Sequence, residues 1–145
     1  MKKTLKRLVT LTLAICCLMT PIALTAGAEE IQPRLNNTIS TFTNMSITST
    51  GELNIGYDYS GIPGVTTHAI VTTFLEKRVL GIMWVGVDNG QPDGAWVDTF
   101  YLEDHTWGRT YQLSDPGTYR VRVHYAIHGS GGAADSLQYI GSDSF

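Results

Sequence analysis

The chain has 145 residues, 43% of them hydrophobic and 16% charged, with 10 Lys and Arg against 13 Asp and Glu. Four of the cations (Lys2, Lys3, Lys6 and Arg7) and both cysteines (Cys16 and Cys17) fall within the first 28 residues. The remainder has no cysteine and a net charge of −7, which excludes a disulfide scaffold or thiolate metal site and argues against binding to nucleic acid or anionic lipid by counterion release.

Residues 1–28 read as a cleavable signal peptide. The cationic start is followed by a short apolar run, Leu8–Met19, and by the small residues Ala26-Gly27-Ala28 that a signal peptidase requires. The apolar run is shorter than the roughly 20 residues of a stable membrane anchor, so no membrane span is expected after cleavage. Leu13-Ala14-Ile15-Cys16 approaches a lipobox, but the bulky Ile15 stands where a small residue is needed, and cleavage after Ala28 fits better. The expectation is a secreted, extracellular protein. No Leu-Pro-x-Thr-Gly motif is present, so covalent wall attachment is not expected.

Residues 29–38, with Pro33 and the pair Asn36-Asn37, read as a flexible polar tail, and residues 39–145 as one β domain. Ile39–Thr48 has strand composition, but its alternation slips between Phe42 and Met45, which predicts a bulge or an edge strand that changes sheets. After Thr50-Gly51, the residues Leu53, Ile55, Tyr57 and Tyr59 alternate with polar neighbours as a second strand. Ser60–Gly64 is turn chemistry, and His68–Glu76 reads as a central strand. Lys77–Gly81 reverses the chain into Ile82–Val87, where Trp84 alternates with Ile82 and reads as core. Asp88–Gly94 is the densest turn cluster. Ala95–Leu102 and Trp107–Leu113 follow as strands, and Ser136–Ile140 closes the series after the loop at His128–Gly132.

Between them lies the clearest signal in the chain. Tyr119, Val121, Val123, Tyr125 and Ile127 alternate with Arg120, Arg122 and His124, the period-two pattern of a strand with one buried face. The motif Asp115-x-Gly117-x-Tyr119-x-Val121 that opens it resembles the tyrosine corner of immunoglobulin-like sandwiches, with Val121 where antibody domains carry a cysteine. About eight short strands without an amphipathic helix predict an all-β, antiparallel, immunoglobulin-like sandwich of seven to eight strands, with a barrel as the alternative. Ile31-Gln32-Pro33-Arg34, the hairpin Leu75–Trp84 and Gly117–Val121 together resemble a family of small, functionally uncharacterised secreted proteins of Gram-positive bacteria. That resemblance implies export and a sandwich fold, and it brings no active site.

Chemistry is sparse. His124 and His128 sit four apart, which along a strand is about 13 Å and too far to share one ion. His68 and His105 could meet only through the tertiary fold. Surface histidines explain the set, and no metal or cofactor is expected. Asp88–Gly94 offers oxygen ligands but lacks the alternate acids and terminal Glu of an EF-hand loop. Glu76, Glu103 and Asp104 are the acids that could pair as a glycosidase dyad, and His128–Gly132 has no accompanying nucleophile elbow, so no catalytic residue is assigned.

The expected function is a non-enzymatic extracellular binding or interaction module for a glycan, cell-wall polymer or protein. A small secreted antibacterial, bacteriocin-like protein and a carbohydrate-binding module are the alternatives. Candidate recognition loops are Ile62–Thr67, Asp88–Trp96 and His128–Ala134, with Trp96, Trp107, Asp93 and His128 as binding residues. Both tryptophans lie near loop ends, but burial in the core is the preferred reading of each.

Overall fold

The computed structural model describes residues 35–145, all within the unit Arg34–Phe145. The expected signal peptide and tail residues 29–34 lie outside the described residues. Eight strands form: β1 (Thr38–Ile47), β2 (Glu52–Gly61), β3 (Thr66–Val79), β4 (Met83–Gly86), β5 (Ala95–Phe100), β6 (Asp104–Gln112), β7 (Thr118–Gly129) and β8 (Asp135–Ser144). One sheet has the order β1-β2-β6 and the other β4-β3-β7-β8, with β5 also paired to β3, and every pairing is antiparallel. The protein is an all-β sandwich.

Alternation in β2, β3 and β7 builds the core. Leu53, Ile55, Tyr57 and Tyr59 from β2 face Ala69, Val71 and Leu75 from β3 and Tyr119, Val121, Val123, Tyr125 and Ile127 from β7. The core is unusually rich in tyrosine, and a buried phenol must find a partner or lose free energy. Each does. Tyr57 Oη accepts from Thr73 Oγ1 at 3.1 Å, and Tyr59 Oη donates to the Leu102 carbonyl at 3.0 Å. Tyr125 Oη donates to the Phe42 carbonyl and lies 2.7 Å from Thr43 Oγ1. Tyr119 Oη donates to the Asp115 carbonyl at 2.6 Å, four residues upstream, so the Asp115–Val121 motif ties the start of β7 to its own turn. Gly117, inside that motif, has φ +155°, and a Cβ there would press on the Lys77 stem.

The anticipated slip in β1 does not occur at Phe42–Met45, where pairing with β2 runs unbroken from Ser40 to Ile47; the irregularity lies between Thr38 and Ser40. The alternation looked broken because Thr43 points inward while Phe42 points out to solvent. A polar residue is tolerated inside because the Tyr125 hydroxyl satisfies it. β1 is an edge strand, but it stays in one sheet, paired with β2, rather than changing sheets as one of the two readings expected.

The last residues of the expected tail are built into the domain. Asn37 is 0% exposed; its amide donates to the Ala133 carbonyl at 2.9 Å and its Oδ1 accepts from Gly131 N. The buried Asp135 carboxylate accepts from Asn36 N at 2.8 Å and from Asn37 N at 2.7 Å. Burial alone would raise the Asp135 pKa, but these backbone donors outweigh it and hold the carboxyl below its ordinary value.

The two open edges of the sandwich are closed by side chains. On the β1 side, Ile47 N donates to Asp143 Oδ2 at 2.8 Å. On the other side, β5 and β6 belong to different sheets, and Asp98 and Arg109 bridge them with two bonds of 2.9 Å from Nη2. Around that pair, Arg109 lies over the Trp96 ring, and Trp107 stacks on Tyr57 at 4.7 Å and packs against Phe100 at 4.5 Å. No helix among the described residues is long and apolar enough to cross a membrane.

The β3–β4 hairpin departs from expectation. Strand β3 runs on to Val79, and the reversal occurs at Leu80-Gly81, both at positive φ (53° and 72°) with Ile82 N bonded to the Val79 carbonyl. Pairing of β3 with β7 stops at Lys77, so Arg78–Trp84 overhangs the sandwich. Trp84 is therefore not core: it lies on the outer face beside Arg120, whose guanidinium sits 4.4 Å from its ring centroid, and Ile82 is 77% exposed. Ile82 belongs to the turn and only Trp84 to β4, and period two carries no information about where the opposite sheet ends.

Candidate functional site

The outer face of the β4-β3-β7-β8 sheet carries an open depression. Phe74 and Glu76 project from β3, and Arg120 and Arg122 from β7 directly opposite them. Each side chain points outward because its neighbours, Leu75, Val121 and Val123, are the buried members of the alternation. Arg122 lies over the Phe74 ring at 4.8 Å. Glu76 Oε2 accepts from Nε of Arg120 at 2.5 Å and of Arg122 at 3.3 Å. Burial would raise the Glu76 pKa, but the two guanidinium groups more than offset it and keep the carboxyl below its usual range. Glu76 stays ionised and holds both arginines on the sheet surface.

The second wall is the segment from β4 to β5. Val87 N still bonds to the Leu75 carbonyl, and the chain then leaves the sheet before returning at Ala95. Short-range bonds shape it: Gly90 N to Asp88 Oδ1, Gln91 N to Asn89 Oδ1, Gly94 N to the Gln91 carbonyl, and Asn89 Nδ2 to the Gly94 carbonyl. Tyr111 Oη on β6 ties the loop to the other sheet through the Asp88 carbonyl at 3.0 Å. These bonds preorganise the loop, which lowers the ordering cost that a ligand would otherwise meet. Between loop and sheet lies an open cleft of about 470 Å³ lined by Phe74, Glu76, Asp88, Gln91, Asp93 and Arg122, among others. Convergent donors and acceptors beside the Arg122-capped Phe74 ring give it the composition of a site for a polar ligand.

The residues singled out in the sequence are dispersed. Asp93 lines the cleft. Trp96 is 6% exposed in the core and has no ring face to offer, and Trp107 is half-buried in the β5–β6 seam. His128 lies on the same outer face as Phe74, but its β3 partner is His68, six residues from Phe74 and so some 20 Å along the strand. There the His68 and His128 rings stack at 4.4 Å, and Tyr101 packs on His68 at 5.7 Å. His68 thus meets His128 rather than His105, which packs on Phe100 in the seam at 4.3 Å. Among the described residues no group of three or more His, Cys, Asp or Glu is placed to hold a metal ion.

Nor do the three loops form one surface. Val65 and Ser130 are bonded to each other, which joins Ile62–Thr67 and His128–Ala134 at one end, while Asp88–Trp96 stands alone at the cleft. The acids do not converge either. Glu76 is in the cleft, Glu103 Oε1 accepts from Gly64 N at 2.6 Å, and Asp104 pairs with Ser60 at the end of β6. The sequence missed the cleft because Glu76 and its arginines are 44 and 46 residues apart; only the β3–β7 register makes them neighbours.

No protein-family model matches the chain, and no curated protein matches it in sequence.

Proposed function

We propose that this is an exported, non-enzymatic binding module of immunoglobulin-like type, and that the cleft between Phe74–Glu76, Arg122 and Asp88–Gly94 takes a segment of extracellular glycan or wall polymer. The observation that carries the reading is the cleft's lining: the Phe74 ring under the Arg122 guanidinium, with Glu76, Gln91 and Asp93 as further donors and acceptors, in an open trough about 470 Å³ in volume. Convergent charged and amide groups of this kind pair with the hydroxyls of a sugar. The strand order β1-β2-β6 against β8-β7-β3-β4, with the Tyr119–Asp115 bond, supports the immunoglobulin-like reading, because β1, β2 and β6 take the places of strands A, B and E, and β3, β7 and β8 those of C, F and G. The N-terminal sequence supports export and membership of the Gram-positive secreted family.

The test is an amide NMR titration of the protein with wall-derived oligosaccharides. Shifts should concentrate at Gln91, Asp93 and Arg122, and Arg122→Ala should weaken binding about 10- to 100-fold, the loss of one charge-assisted hydrogen bond. Shifts confined to residues 62–67 and 128–134 would refute the location. No saturable shift with any saccharide would refute the ligand class.

A further inference from the structure

The β3–β4 overhang combines an exposed apolar tip with a cluster of cations at its base. Its tip is apolar and unprotected: Leu80 is 82% exposed, Ile82 77% and Met83 51%, with Val79 and Val85 also exposed. Cross-strand pairing of Val79 with Met83 and of Lys77 with Val85 places these apolar groups on the face that the opposite sheet does not reach. Its base is cationic. Four of the five Lys and Arg side chains among the described residues, Lys77, Arg78, Arg120 and Arg122, gather there around a single shared carboxylate, Glu76, which pairs with both Arg120 and Arg122, and the fifth, Arg109, is engaged with Asp98 in the seam. Arg78 has no ion-pair partner among the described residues, and Lys77 meets Asp115 only at 3.8 Å. Trp84 lies between tip and base with Arg78 and Arg120 beside its ring, at 5.9 and 4.4 Å.

We infer that this hairpin docks on an anionic lipid bilayer, with the tip in the acyl boundary and the base among the headgroups. Charge complementarity carries the choice of occupant. The acidic balance of the domain argues against an anionic surface everywhere except here, where cations collect behind an apolar point. Bilayer interfaces sort side chains in this order along the normal: aliphatic groups deepest, Trp at the boundary, Arg and Lys outermost. The depth agrees as well. Arg78 and Trp84 are two to three residues from the turn, or about 7–10 Å along a strand, and interfacial segments sink about 5–10 Å. The hairpin lies in the interface without spanning it. Arg122 is common to this base and to the cleft, whereas the tip and Arg78 belong to the hairpin alone.

The experiment uses the full chain carrying [¹³C]methyl methionine, added to nanodiscs of phosphatidylcholine with or without phosphatidylglycerol and doped with a spin-labelled lipid. Met83 should lose its signal in the anionic discs, while Met45, half-buried between the sheets, keeps its signal and reports an intact fold. Leu80→Asp with Ile82→Asp should restore the Met83 signal. Arg78→Ala, which leaves the tip whole, should weaken the effect about fivefold, the share of one cation at a charged surface. A Met83 signal that survives in anionic discs overturns the inference and turns attention to a protein groove. Equal loss in neutral and anionic discs overturns the assigned role of the cations, and loss that persists in the Asp variant overturns that of the tip.

Discussion

Replacing Asp98 by Ala removes the carboxylate that links β5 to β6 and leaves the Arg109 guanidinium facing the seam alone. The two side chains are 23% and 27% exposed, so the pair is about three-quarters buried. Exposed ion pairs contribute about 0–1 kcal/mol, whereas removing one member of a fully buried pair costs about 3–5 kcal/mol. A site of this burial, where one nitrogen, Nη2, bonds to both carboxylate oxygens, should lose about 2–3 kcal/mol. β5 hydrogen-bonds only to β3 and β6 only to β2, so no backbone bond between β5 and β6 takes up the load. Arg109→Ala should cost at least as much, because it also removes the cation over Trp96. Urea unfolding of the two single variants and the double variant gives the coupling directly, and it should exceed about 1 kcal/mol. Expected m-values are unchanged, and the coupling should survive 1 M salt, which screens exposed pairs far more than buried ones. A coupling near zero, with both single variants close to wild type, would show that the aromatic packing of Trp96, Phe100 and Trp107 closes this edge unaided.

Asp135 makes stability depend on acid. Its folded pKa lies below its unfolded value, so its contribution is present in full above the unfolded pKa of about 4 and is lost as pH falls through the folded value. Asp135→Asn should therefore cost about 1.5–3 kcal/mol at pH 7, and chemical denaturation at stepped pH should show that difference shrinking below pH 4. Tyr125 acts at the other extreme: burial pushes its pKa up to about 12, with the Thr43 hydroxyl offsetting part of the effect. Because the folded state holds the proton more tightly, stability should fall as pH rises from about 10 to 12, and Tyr125→Phe should flatten that slope. A wild-type curve identical to that of the Phe variant across this range would refute the assignment.

Strands whose inward residues are all apolar could be read directly. Leu53 to Tyr59 and Tyr119 to Ile127 are buried at every second position, and both strands sit where the sequence put them. The Asp115–Tyr119 turn was equally legible because its bond is local, four residues long. What could not be read depends on contacts remote in sequence. Asn36-Asn37 has loop composition, yet Asn37 is fully buried because Asp135 and residues 131–133, almost a hundred positions away, supply its partners. Trp84 and Ile82 obeyed the strand pattern but lie past the point where the facing sheet stops. The cleft combines one legible loop, Asp88–Gly94, with three side chains, Phe74, Glu76 and Arg122, whose proximity is set by the β3–β7 register alone.

Leu80 brings local strain and proposed function into opposition. It adopts φ +53°, a left-handed conformation that costs an L-residue with a full side chain about 1–2 kcal/mol, and its side chain recovers nothing from packing because it stands in solvent. Two central residues at positive φ define a type I′ turn, for which Asn-Gly is the favoured pair. Leu80→Asn would create that pair with Gly81 and should stabilise the domain by about 1 kcal/mol, raising Tm by roughly 4–8 °C in a domain of this size. The same change withdraws a leucine from the proposed bilayer contact and should weaken binding to anionic vesicles more than tenfold, since burying such a side chain contributes about 1.5–3 kcal/mol. An aliphatic residue at this turn is then explained by what it touches outside the protein, at the expense of the fold. Thermal melts and vesicle sedimentation of the one variant test both halves. If Leu80→Asn leaves Tm unchanged, the strain is absent, and if it stabilises the domain without loss of vesicle binding, the tip is not what meets the lipid.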